Sequence, residues 1–137
     1  LKGDPEKGKA TSMRCIMCHE FNGTGVNFGP NLKGWGEGQT LDVIARSIVE
    51  PSADISHGYS GTGVALKKGG HVHGIASNDG DPLIMTSTGG IPQVIPRDRI
   101  KSKRPYKLKY SLMLSADQLG LTAQDVADLV AFLRVYK

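Results

Sequence analysis

The chain holds two cysteines, and both fall within one pentapeptide, Cys15-Ile16-Met17-Cys18-His19. Two thiols three residues apart on a short helical turn each reach one of two neighbouring porphyrin vinyl groups. The residue that follows, His19, directs a ring nitrogen at the iron. The motif therefore reads as covalent attachment of haem c, with Cys15 and Cys18 as thioether links and His19 as a metal ligand. No third thiol is left to suggest a disulfide framework. A redox C-x-x-C belongs to a βαβ unit, whereas the residues before Cys15 are polar and helix-like. A zinc site needs two more ligands at metal spacing. Only His57, His71 and His73 remain, far along the chain, and each is expected as a surface group.

A covalent porphyrin also accounts for the composition. At 137 residues the length suits a single domain, 1–137. Its 39% hydrophobic and 6% aromatic content is lean for a core of that size, and haem would supply the missing apolar surface. Eighteen glycines and seven prolines point to long loops. A net charge of +4 makes no case for a nucleic-acid partner, and no apolar run approaches a membrane span. Haem c is attached outside the cytoplasm and no signal peptide opens the chain. The expectation is a periplasmic or otherwise exported protein whose signal has been removed, or a piece of a longer exported one.

Three helices are expected. The first runs from Asp4, a good N-cap followed by Pro5, to Arg14. Gly8 lies inside it, either as a contact point for a crossing helix or as a weak spot. Thr40 caps the second, whose stripe is Leu41, Ile44, Ala45 and Ile48, and Pro51 ends it. Thr122-Ala123-Gln124-Asp125 resembles a capping box for the third, with Val126, Leu129, Val130 and Leu133 as its stripe and Phe132 beside it. Between the second and third helices the period changes. Val64–Lys67 and Val72–Ala76 flank a turn at Lys68-Gly69-Gly70, and Leu83–Ser87 and Gln93–Ile95 follow. These strands form a small antiparallel β insertion at about 60–100, expected to lean on the helices because so few strands need support. The fold class expected is mainly α.

Two loops carry further candidates. In Phe28-Gly29-Pro30-Asn31-Leu32 the Pro30 carbonyl is a natural acceptor for the second ring nitrogen of His19, with Gly29 allowing a tight turn. Phe28 and Leu32 would then pack on the porphyrin; the other reading is a plain surface loop. In Tyr110-Ser111-Leu112-Met113-Leu114, Met113 stands where a second axial ligand would arrive. Its rivals are Met13, Met17, Met85 and the three other histidines. Met13 and Met17 lie too near the attachment turn, and Met85 sits in a strand pattern that suits a core role. Arg97 to Lys109 is basic, either a solvated loop or a docking rim for an acidic redox partner.

Taken in chain order, the haem motif, Gly29-Pro30-Asn31-Leu32, Met113 and the closing helix resemble class I cytochromes c. More narrowly, the chain resembles a haem-binding domain abundant in planctomycetes and verrucomicrobia, found at the C-terminus of large exported proteins. There it follows, in some, a propeller similar to sugar dehydrogenases. The matching pieces include Gly3-Asp4-Pro5, the run from Pro51-Ser52-Ala53 through Ile55 to Gly58-Tyr59, and Ser111-Leu112-Met113. The resemblance implies His19 as proximal and Met113 as distal ligand, the Pro30 carbonyl on the His19 ring, and Gly8 against Phe132 where first and last helices cross. Two departures stand out. Thr11 replaces a usual aromatic, and Leu114 follows Met113 where proline is common, which implies a looser loop and a weaker iron–sulfur bond.

The function expected is a monohaem electron carrier, not an enzyme, exchanging single electrons with redox proteins, whether an acidic partner or a fused or associated dehydrogenase. A second reading is an enzyme or small-ligand sensor with an open or labile sixth position. A third is an accessory domain within a larger exported dehydrogenase, its strands forming an interface.

Overall fold

The computed structural model describes residues 1–137. The chain divides into two compact units, Leu1–Asp54 with Met113–Lys137, and Ile55–Leu112.

The first unit is built on three helices, α1 (Pro5–Thr11), α2 (Leu41–Val49) and α3 (Ala123–Val135). Asp4 starts α1 as expected, its carboxylate accepting the Glu6 and Lys7 N–H groups. The helix is shorter than the sequence suggests. After Thr11 it tightens into a 3-10 turn, Ser12–Cys15, that carries the chain into the attachment motif. Thr40 caps α2 through the Val43 N–H, and Ile44 and Ile48 are buried. Leu41, expected in the same stripe, is exposed. The capping box at the start of α3 is complete, with Thr122 and Asp125 each bonding the other's backbone N–H. That bonding holds the Asp125 carboxyl below the usual carboxylate range.

Helices α1 and α3 meet with almost no side chain between them. A Cβ on Gly8 would collide with the Asp128 carbonyl and with Cβ of Phe132. This is the crossing that the resemblance implies. A polar clasp fixes the same contact: the Asp4 N–H donates to Oδ1 of Asp128 at 2.9 Å, and Gln124 Nε2 donates to that oxygen at 2.9 Å. Asp128 is 3% exposed, and no fully buried polar atom of its side chain lacks a hydrogen-bond partner. Around the crossing lies the core of Ile44, Ile48, Ala116, Leu121, Leu129, Val130, Phe132, Leu133 and Tyr136, with Leu32 and Trp35 packed against it.

The second unit is a five-stranded antiparallel sheet. Its strands are β3 (Thr62–Ala65), β4 (His71–Ala76), β5 (Leu83–Ser87), β6 (Ile91–Ile95) and β7 (Tyr106–Lys107), in spatial order β6-β5-β4-β3-β7. Gly69 and Gly70, both at positive φ, turn β3 into β4. Val64, Leu83, Met85, Ile95 and Ile100 form a buried cluster within the sheet unit.

This corrects the expectation of a mainly α fold. Helix makes up 31% of the chain and strand 20%. The physical reason is the cluster just named. Strands expected only to lean on the helices carry a core of their own, and the basic stretch expected as loop supplies a fifth strand, β7.

Candidate functional site

The attachment motif is folded by its own backbone. After the 3-10 turn, the N–H groups of Cys18 and His19 both donate to the Cys15 carbonyl, at 3.2 and 2.9 Å. The two thiols are unbridged and half-buried. Burial, with the neighbouring Cys18 second, pushes the Cys15 thiol up from its usual range. No group of three His, Cys, Asp or Glu side chains lies at metal-holding distance.

The following loop returns to cover the turn. Strands β1 (Glu20–Phe21) and β2 (Thr24–Gly25) pair through the two-residue turn Asn22-Gly23, both at positive φ. The Val26 N–H then donates to the Ile16 carbonyl at 2.8 Å, and the Phe28 N–H to that of Cys18 at 3.1 Å. Sequence reasoning passed over this hairpin, although Asn-Gly is the strongest short-range hairpin signal.

The loop fixes His19, which is 6% exposed. Its Nδ1 lies 2.8 Å from the Pro30 carbonyl oxygen. A carbonyl only accepts, so Nδ1 carries the proton and Nε2 the lone pair, the state a metal ligand needs. Burial lowers the pKa of the ring, opposed by the Pro30 hydrogen bond, and keeps the imidazole neutral. Gly29 lies at a bend, as expected, and has a second role. Its φ is not positive. A Cβ there would lie 2.6 Å from Cε1 of His19, so glycine is needed for the ring's closeness.

Behind His19 stands an aromatic wall that sequence reasoning did not identify. Phe21 has its ring centroid 6.4 Å from that of His19, 6.1 Å from Phe132 and 5.5 Å from Tyr136. The Tyr136 hydroxyl accepts the Asn22 N–H at 3.0 Å and so ties the end of α3 to the hairpin.

Of the residues singled out from sequence, Cys15, Cys18, His19, Phe28 and Pro30 are thus joined by direct backbone or ring hydrogen bonds, and Leu32 lies partly buried on the helical core. Met113 is half-buried in the irregular segment before α3, and it opens the segment Met113–Lys137 that completes the first unit. Met13 and Met17 are exposed, and Met85 is fully buried in the sheet core.

Two unbridged thiols on one turn, a neutral buried imidazole with Nε2 uncommitted, and a glycine where any Cβ would displace that ring fit a covalently attached haem. No helix is long and apolar enough to cross a membrane. A comparison with curated proteins finds no match. The Cytochrome c family matches residues 5–137, helices and sheet alike. The chain therefore belongs to the cytochrome c family, whose cofactor is an iron-containing haem c held through covalent bonds.

Proposed function

We propose that this is a monohaem electron carrier in which Cys15 and Cys18 would form the thioether links and His19 and Met113 would hold the iron. The bound haem supplies one-electron chemistry between ferric and ferrous iron. The chain's own part is to hold the ligands, exclude water and set the potential. Donating Nδ1–H to the Pro30 carbonyl fixes the His19 tautomer and makes Nε2 more basic. A Met113 thioether as second ligand would favour the reduced state and raise the potential. Elimination supports Met113: Met13 and Met17 flank the attachment turn, and Met85 is locked in the sheet core. The narrower kinship with the planctomycete and verrucomicrobial haem-binding domains rests on the run from Pro51 to Tyr59. The exported location rests on where haem c is attached, and the basic run supports an acidic redox partner.

The observation that carries this reading is the neutral, anchored His19 directly after the two thiols. Optical spectra of the oxidised and reduced protein, with and without carbon monoxide, test it. The expected result is a low-spin spectrum with the weak far-red band of ferric iron bound to methionine sulfur, and no response to the gas. Met113→Ala should then open the sixth position, admit carbon monoxide and lower the potential markedly. A parent that is high-spin when ferric and binds the gas readily once reduced would remove Met113 as a ligand and favour a sensor or enzyme.

A further inference from the structure

In the second unit, the sheet brings two histidines and two tyrosines together. His71 and His73 alternate along β4 and so share one face. On the neighbouring strand β3, Ala65 and Gly63 stand opposite them, and Gly63 also pairs with Tyr106 of β7. Because Gly63 has no side chain, the Tyr106 ring lies directly across it; any Cβ there would collide with that ring. The phenol thereby reaches over β3 to the β4 histidines. Its Oη lies 2.8 Å from Nδ1 of His71 and 3.3 Å from Nε2 of His73. The other nitrogen of His73, Nδ1, lies 3.2 Å from the Tyr110 hydroxyl.

We propose that His71 Nδ1, His73 Nε2 and Tyr106 Oη form a binding site for a late divalent transition metal, Cu2+ above all, with Tyr110 as the residue that positions His73. Donor atoms about 2.0–2.1 Å from one ion stand roughly 2.9 Å apart at right angles and roughly 3.3 Å apart in a tetrahedron. The two separations from the phenol oxygen match that range. Tyr110 completes the logic. When His73 donates Nδ1–H to the Tyr110 oxygen, its lone pair is placed on Nε2, facing the ion.

The donor types choose the metal class. Two imidazoles and a phenol, with no carboxylate, do not suit Mg2+ or Ca2+. An N,N,O set open to water suits tetragonal Cu2+, which also heads the affinity order for such ligands. Each imidazole keeps one N–H, while the phenol loses its proton to solvent, so each ion bound releases one proton. In the metal-free chain Tyr110, His73, Tyr106 and His71 form one continuous hydrogen-bonded chain. That chain holds each imidazole at a distance from the phenol oxygen that suits a shared ion. The site is independent of the haem reading.

The test is titration of the haem-loaded protein with CuCl2, followed by calorimetry and by electron paramagnetic resonance. One equivalent should bind, with hyperfine coupling to two nitrogens and release of one proton per ion. His71→Gln and His73→Gln should each weaken binding about tenfold or more, and Tyr110→Phe by a smaller factor with both nitrogens retained. His57→Gln should bind as the parent does. An unchanged haem spectrum and far-ultraviolet dichroism in every variant shows that the fold is intact. Stoichiometric binding that survives the double variant H71Q/H73Q, or no binding tighter than about 0.1 mM, overturns the proposal.

Discussion

His19 is held by two neighbours that act in different ways. Pro30 acts through a hydrogen bond whose direction is dictated by chemistry, since its carbonyl has nothing to donate. Gly29 acts by absence, leaving room for the ring. Gly29→Ala tests the second effect. The added methyl meets Cε1 at 2.6 Å and Nδ1 at 3.1 Å, and the ring cannot retreat without stretching its bond to Pro30. Overpacking of this kind costs about 1–3 kcal/mol. The variant should lose that much in denaturant unfolding of the haem-loaded protein and show a perturbed haem absorption spectrum. Gly38→Ala is the matched control, because nothing lies within 4 Å of a Cβ there. Its stability should change by no more than about 0.5 kcal/mol. Equal behaviour of the two variants would show that the ring does not depend on Gly29.

Among elements, the crossing of α1 and α3 sets two effects of opposite sign against each other. Gly8→Ala improves helix propensity by about 1 kcal/mol. The same methyl drives into the Asp128 carbonyl, which is backbone inside a capped helix and cannot swing away. The collision wins, and a net loss of about 1–2 kcal/mol is expected in thermal or denaturant unfolding; a variant as stable as the parent would mean the helices separate freely. The crossing, like the caps at Thr40 and Thr122, was legible in the sequence because each depends on residues close together or on one conspicuous glycine. So was the β3–β4 hairpin, marked by Gly69-Gly70. The attachment turn was equally plain, since its chemistry lies in five consecutive residues. What stayed hidden is non-local. Strand β7 is two residues long and exists only through pairing with β3, more than forty positions earlier. The buried Asp128 is an acid on an otherwise apolar face, intelligible only once Asp4 and Gln124 are beside it. The mainly α expectation failed for the same reason: alternation announces a strand but not the cluster of Met85, Val64 and Ile100 that lets a sheet stand on its own core.

Charge is segregated at the scale of the whole molecule. The stretch from Arg97 to Lys109 carries seven basic residues against one acid, so the rest of the chain is net negative although the total is +4. The structure ties down one of the seven. Arg97 pairs with Asp79 at 2.8 Å and donates to the Gly80 and Lys103 carbonyls, which makes it a tie between turns and not a free charge. The remaining six, Arg99, Lys101, Lys103, Arg104, Lys107 and Lys109, are exposed. A surface of one sign speeds encounter with a partner of the other, and it does so only over the Debye length, about 10 Å at 0.1 M salt. The bimolecular rate of electron exchange with an acidic redox protein should therefore fall as ionic strength rises. Reversing Lys101 and Lys103 to glutamate should lower the rate at low salt and flatten its salt dependence, while leaving the haem spectrum unchanged. The matching reversal at Arg97 should instead cost stability, because it breaks three contacts that hold the turns together. A rate indifferent to salt in the parent protein would strip the basic surface of any part in docking and leave it as a solvated face.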